Sequence, residues 1–267
     1  MVDLDEDRIQ DFRNRVFTFY HENGRDLPWR DTTDPYSILV SEVMLQQTQV
    51  SRVIPKYEEW IDRWPTAEDL AAANLQNVLS LWKGLGYNNR AKRLRNAAQM
   101  IVEEYDGKVP RDVEELQELP GVGPYTANAI RIFADNADRA TVDANIRRVL
   151  IHEFDLDEDI SDDELYDVAE QVLPEGRSRE WHNALMDYGA MEKTSRETGI
   201  SPKTTQSSFE GSRRYYRGRI LDALLEEPRK KEWLEQEIDT DEVEDILQDL
   251  QDEGMIAQDG AEYRIDQ

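Results

Sequence analysis

The stretch LPGVGPYTANAI, Leu119–Ile130, decides how the rest of the chain is read. Its two glycines, Gly121 and Gly123, are one residue apart and permit a tight turn on which backbone amides converge. Pro124 suits the first turn of a following helix, whose positive end points into the same turn. Leu119 and Val122 are apolar anchors on either side. Helix, glycine turn and helix together read as a helix-hairpin-helix, which can hold a backbone phosphate on its amides without any side-chain charge.

Outward from that turn the pattern stays helical. Apolar residues recur at helical spacing through 6–22, 36–51, 51–63, 66–72, 75–84, 88–105, 112–118, 123–135, 143–152, 162–172 and 178–191. Prolines at 28, 35, 55, 65, 110, 120, 124 and 174 mark turns or first helical turns. No alternating strand pattern occurs before residue 250. Residues 192–212, EKTSRETGISPKTTQSSFEGS, lose hydrophobicity and read as a linker. Over 213–267 three short helical stretches precede MIAQDGAEYRI, a hairpin turning at Asp259-Gly260, which gives a winged-helix outline. The third of those helices, in DTDEVEDILQDLQDEG, is too acidic to suit a DNA groove, so this small module is expected to pack or dock.

Composition removes several classes. The 267 residues suit one large domain or two modest ones. With no Cys there is no disulfide, thiolate nucleophile, Cys-ligated zinc or cysteine-held cluster. Three His leave little room for a His-rich metal site, so no metal site is expected. No apolar run of about 18 residues is present, and MVDLDEDRIQ lacks the charged-then-apolar pattern of a secretory signal. A soluble cytoplasmic protein is expected.

The charge is lopsided: 58 acids against 32 bases, a formal net charge of −26, with only eight Lys. That opposes nucleic-acid binding on its face, because affinity for phosphate comes from Lys and Arg. It fits instead an acidic solvating coat of the kind carried by proteins of salt-loving organisms, where salt screens self-repulsion, and an archaeal halophile is the expected source. The coat has holes. Between Asp69 and Glu103 there is no acid at all, where an even spread would put about seven, while Lys83, Arg90, Lys92, Arg93 and Arg95 are basic. Avoidance of negative charge beside a basic cluster is the footprint of a phosphate-binding face, with Arg90 and Lys92 as its candidate contacts. Pro35–Tyr57 holds Glu42 alone, and Leu119–His152 holds only Asp135, Asp138 and Asp143.

Those isolated acids differ from the many that merely solvate the surface. Glu42 lies in the apolar run ILVSEVMLQQTQV, and Asp143 in ATVDANIRRVL at a helix start, where capping is the plain alternative. As a pair they are what glycosidic cleavage needs. One is an acid whose pKa burial raises, able to protonate a leaving group; the other is an ionised carboxylate facing an oxocarbenium ion.

At this point the residues resemble a known family. LPWRDTTDPYSILVSEVMLQQTQVSRVIPKYEEW, LWKGLGYNNRAKRL, LPGVGPYTANAI and VDANIRRVL are similar to the helix-hairpin-helix glycosylase superfamily, nearest its MutY-type adenine DNA glycosylase branch, across roughly residues 8–191. The resemblance implies that Glu42 protonates the adenine ring and that Asp143 stabilises the sugar cation. Tyr125 and Asn145 would line the pocket and hold Glu42, while Trp29 and Arg30 contact a flipped base. Gln46, Gln47 and Tyr87 would intrude into the duplex, and Gly121 and Gly123 would set amides on a phosphate. The partner implied is double-stranded DNA with a mismatched or oxidised pair, bound by a monomer. A Lys at position 125, as in the superfamily's lyase branch, could form a Schiff base; Tyr125 cannot, so base removal by water is expected.

Three departures follow from the same resemblance. Lys193 stands where the first of four cluster cysteines would be expected, so no iron–sulfur cluster is expected, and a monovalent cation on the hairpin carbonyls is the one cofactor left open. A 55-residue acidic module stands where the family's large domain reading 8-oxoguanine would follow. Ala144 replaces the Gly usual in the adenine branch and is more like the branch acting on thymine or uracil opposite guanine, which is the alternative activity. A non-enzymatic binder using the hairpin and the winged helix is the alternative from another class. The expected architecture is all-α and two-lobed: 31–138 as one lobe, 1–30 with 139–191 as the other, completing a core over 1–191. The linker 192–212 and the winged-helix-like module 213–267 follow.

Overall fold

The computed structural model describes residues 4–201, 203 and 208–266. It is helical throughout except for one small antiparallel sheet near the C-terminus. The chain forms two compact units. One holds the N-terminal part up to Leu39, Arg111–Gln117 and the chain from Val122 to residue 203; the other holds Val40–Pro110, Glu118–Gly121 and the C-terminal residues 208–266.

Local chemistry starts the helices where expected. Asp5, Thr66, Asn74, Asp143, Ser161 and Ser212 each cap a helix by accepting a hydrogen bond from a backbone amide inside its first turn. Two expected helices stop early. The one read as 36–51 spans Pro35–Leu45, and the chain turns at 46–49 with Gln47 at φ +56 before the next helix, Val50–Arg63, begins. The one read as 178–191 ends at Asp187 and continues as a π-helical turn, Tyr188–Glu192. Pro55, read as a turn marker, lies inside Val50–Arg63.

The first unit is organised round an aromatic core. Phe12 of the Glu6–Asn23 helix meets Phe154 and Trp181 edge-on at 5.2 and 5.5 Å between ring centroids. Ile146, Val149 and Leu150 of the Ala144–Phe154 helix are buried in the same cluster. Its far edge is closed by the stretch after residue 192. Thr194 and Glu197 form a capping box on the one-turn helix Ser195–Thr198, Gly199 ends it at φ +75, and Ile200 is buried in the core.

In the second unit Trp60 meets Trp64 and Trp82 edge-on at 4.8 and 5.6 Å between ring centroids, with Leu70, Leu94 and Ile101 fully buried. The Asn89–Glu104 helix runs through this part. The C-terminal module belongs to the same unit: helices Arg213–Glu226, Lys231–Glu237 and Val243–Asp252, and strands Arg229–Lys230, Ile256–Asp259 and Glu262–Ile265 in the order first, third, second. The first strand is two residues long, too short to leave a sequence signal. In the hairpin Asp259 pairs with Glu262, so the turn residues are Gly260 and Ala261, one step beyond the expected pair. Gly260 at φ +61 occupies the first of them, as a type II′ turn requires. Arg213 pairs with Asp249 inside Val243–Asp252 and with Glu242 just before it, at 2.6 Å each, and Arg217 pairs with Glu253 just after it at 2.5 Å. Contacts from the module to the tryptophan part include Gln76 donating to the Leu225 carbonyl at 3.2 Å and a Lys83–Asp222 ion pair at 3.3 Å. No helix among the described residues is long and apolar enough to cross a membrane.

Candidate active site

The hairpin forms as its residues dictate. Val113–Glu118 leads into the turn, Pro124–Asp135 leaves it, and Leu119 and Val122 are buried. Gly121 sits at φ +88, a conformation an L side chain resists, and an added Cβ would come within 3.2 Å of Arg93 Cβ. Gly123 differs. Its extended backbone, φ −97 and ψ −179, suits any residue, and an added Cβ there would meet nothing within 4 Å. The protein's own packing gives no reason for glycine at 123. Glycine there keeps the helix start accessible at backbone level.

Asp143 caps the Ala144–Phe154 helix and does more besides. Its Oδ1 accepts from the Ile146 amide at 2.7 Å and its Oδ2 from Asn145 Nδ2 at 3.1 Å. Desolvation pushes its pKa up; the Ile146 amide, Asn145 and the Arg148 charge pull it back by favouring the ionised form. Asn145 is fixed in turn, because its Oδ1 accepts from Arg148 Nη2 at 2.8 Å. Arg148 also donates to the carbonyls of Gly189 and Lys193, each at 2.6 Å, fastening the π-helical turn to this helix. Gly189 lies so close that a Cβ would stand 2.9 Å from Asn145 Cβ. Arg148 and Gly189 had no role in the sequence reading. The signal for each was a single letter, and the two lie about 40 residues apart in the sequence.

Trp29 is buried on the short 3₁₀ turn Pro28–Arg30. Arg30, read as a contact for a flipped base, is committed elsewhere. Its Nη1 and Nη2 donate to the two oxygens of Asp187 at 2.8 Å each, and Nη1 also donates to the Arg25 carbonyl. Arg25 completes the set, donating to Asp187 through its amide at 2.8 Å and Nε at 2.7 Å. Asp187 is fully buried, and although desolvation opposes ionisation, the two arginines hold its pKa below the usual carboxylate range. Arg30 thus anchors the Trp29 turn to the end of Ser178–Asp187. Sequence reasoning missed Asp187 because an acid among 58 carries no mark of its burial.

In the second unit, Glu42 is 8% exposed near the end of the apolar Pro35–Leu45 helix. Just beyond it, Arg90 is buried. Its guanidinium donates to the carbonyls of Val43, Met44 and Gln46 on one turn, to those of Leu85 and Gly86 on another, and to Thr48 Oγ1, at 2.6–3.1 Å. Desolvation lowers its pKa to about 10. Each of those turns carries a non-glycine residue in the left-handed region, Gln47 at φ +56 and Tyr87 at φ +47. Such a conformation costs roughly 1 kcal/mol or more per residue and persists only where the surroundings enforce it. Gln46 is half-buried, whereas Gln47 and Tyr87 are exposed.

The basic cluster therefore needs correcting. Arg90 and Lys92, expected on phosphate, have partners inside the protein: Lys92 Nζ donates to the Glu253 carbonyl. Arg95 donates to the Ala73 carbonyl at 2.7 Å, and Lys83 pairs with Asp222. Arg93 is the one of the five that is exposed and without an ion-pair partner among the described residues, and its stem lies against Gly121. The cations in the acid-free stretch are mostly bound to carbonyls, a pattern that composition cannot separate from a phosphate face.

Tyr125 lies at the start of the hairpin's second helix. Glu42 and Tyr125 each have partners in the folded chain. No cluster of three or more His, Asp or Glu among the described residues could hold a metal ion. A thiolate-held cluster has no ligands in this sequence, and Lys193 is engaged instead, with Nζ 3.3 Å from Glu153, which also pairs with Arg15 at 2.5 Å. These two cations hold Glu153 below the usual carboxylate range against the desolvation of its site.

A glycine hairpin, a capping carboxylate wired to a buried arginine and two braced turns define a class. The chain belongs to the HhH-GPD superfamily of base excision DNA repair proteins, whose family profile matches residues 40–175. Within it, the chain is 41% identical over 230 residues to the adenine DNA glycosylase of Mycolicibacterium smegmatis, covering 78% of each chain. It is 39% identical over 222 residues to that of Rattus norvegicus, matching 78% of this chain but 43% of the rat protein. The chain thus spans less than half the length of the mammalian relatives it matches. Among solved structures, a thermostable thymine-DNA glycosylase superposes with a TM-score of 0.67 at 31% identity, over 72% of this chain and 90% of that one. Endonuclease III in a non-covalent complex with DNA gives 0.65 at 20% identity over 83% and 100%, a likeness of fold.

Proposed function

We propose that the chain is a monofunctional adenine DNA glycosylase acting on adenine mispaired with guanine or 8-oxoguanine. The observation that carries this reading is Glu42, a carboxyl buried in an apolar helix whose surrounding stretch, Pro35–Tyr57, has no other acid. Relatives at 36–42% identity that act on adenine support it. The duplex would rest its backbone on the amides around Gly121 and Gly123 and on Arg93, with the target nucleotide rotated out of the stack. Glu42 gives its proton to the adenine ring, the glycosidic bond breaks with its electron pair leaving on the base, and Asp143 faces the sugar cation. Water then adds to the anomeric carbon and loses a proton, leaving an abasic site. Tyr125 offers no amine for a Schiff base, so strand cleavage is not expected.

A panel of duplexes tests this at high and low salt: adenine opposite 8-oxoguanine, adenine opposite guanine, and thymine opposite guanine. Adenine excision with no thymine excision is expected; the reverse would assign the chain to the thymine branch. Glu42→Gln should bind the first duplex with wild-type affinity and release no base. Excision at the normal rate by that variant would remove Glu42 from the mechanism.

A further inference from the structure

Tyr87 is 37% exposed at the tip of its turn, with φ +47. An aromatic ring on such a tip is free to swing unless something holds its face and its end. Here two guanidiniums flank the ring, Arg90 Cζ at 5.6 Å and Arg214 Cζ at 5.2 Å from the centroid. Arg90 fixes the turn's backbone. Arg214, from the Arg213–Glu226 helix, also donates Nη1 to the Tyr87 hydroxyl.

Three other arginines of the same helix are engaged within the C-terminal module: Arg213 pairs with Glu242 and Asp249, Arg217 with Glu253, and Arg219 donates to the Glu237 carbonyl. Arg214 reaches out of that module to a residue of the 40–175 family segment. We propose that Arg214 is a positioning residue for Tyr87, so that the C-terminal module sets the ring that meets the duplex. The module then belongs to the substrate-engaging surface, although none of its acidic third helix need touch DNA. This rests on the glycosylase reading, in which the Tyr87 turn contacts DNA.

A double-mutant cycle on the full chain tests it, with Arg214→Met, Tyr87→Phe and the pair together. Affinity for a duplex with adenine opposite 8-oxoguanine and excision kcat/KM are both measured, beside the melting temperature. Each single change removes the same charge-assisted hydrogen bond and should weaken affinity by about five- to tenfold, with the double variant no worse than either. Melting should stay within a degree or two of wild type, and Arg214→Lys, which can still donate, should keep most of the affinity. Additive losses, no loss in Arg214→Met, or losses that follow the melting temperature would each overturn the proposal. A wild-type chain that neither binds nor excises overturns the glycosylase reading and this proposal with it. A wild type that excises while Arg214→Met is unaffected overturns this proposal alone.

Discussion

Arg148 in the first unit and Arg90 in the second are both buried and donate largely to backbone carbonyls, yet they serve different ends. Arg148 reaches an ionisable group: through Asn145 it is linked to Asp143, and its charge stabilises that carboxylate. Arg90 donates its hydrogen bonds to neutral oxygens, those of two turns whose tips are held in left-handed conformations. One arginine tunes charge where a cation would form; the other fixes shape where the duplex would be met. A buried guanidinium is the same chemical object in both places, and its neighbours decide which property it controls.

The largest expected effect breaks the shape side. Arg90→Met leaves five carbonyls without this donor and releases Gln47 and Tyr87, and should cost about 3–5 kcal/mol in denaturant unfolding. If Arg148→Met costs as much and leaves the pH dependence of excision unmoved, the division of labour is wrong. The charge side is sharpened by Asn145→Ala. On the proposed mechanism Asp143 acts as an ionised carboxylate; burial already raises its pKa, and removing a donor that favours the charged form raises it further. The acid limb of the single-turnover excision profile should therefore move to higher pH while melting changes little. An acid limb that stays in place would detach Asn145 from the carboxylate. The smallest effect concerns Arg93. Arg93→Gln should reduce the slope of log affinity against log salt by about one, equally for matched and mismatched duplexes. An unchanged slope would leave the hairpin to bind phosphate through amides alone.

Much of this was legible before any coordinates. Helix starts are legible because their caps are local: Asp5, Thr66 and Ser161 each accept from the amide three residues on. The hairpin could be read because Gly121 and its anchors lie within five residues of one another. The end of the helix at Leu45 could not. Gln47 lacks glycine's freedom, and the group that holds its turn, Arg90, lies more than 40 residues downstream. The basic cluster misled for the same reason: charge counting cannot tell Arg93, exposed beside Gly121, from Arg90, buried on carbonyls one turn earlier in the same helix. Arg30 and Asp187 are 157 residues apart, and neither identity announces the other. Likeness to relatives supplied the block in which Arg30 sits but not the partner that immobilises it.

The segment after the π-helical turn is fastened by Lys193 on Glu153, a carbonyl on Arg148 and Ile200 in the core. That join is complete as soon as the polypeptide is, because every group in it arrives with the chain. Its strength is graded by acidity and ionic strength, quantities that vary smoothly, instead of by the all-or-none capture of an inorganic centre. Because Glu153 keeps its charge below the ordinary carboxylate range, the Lys193 tie persists as the medium turns mildly acid and weakens as that carboxyl takes a proton, while the Arg148 bond and the burial of Ile200 do not depend on it.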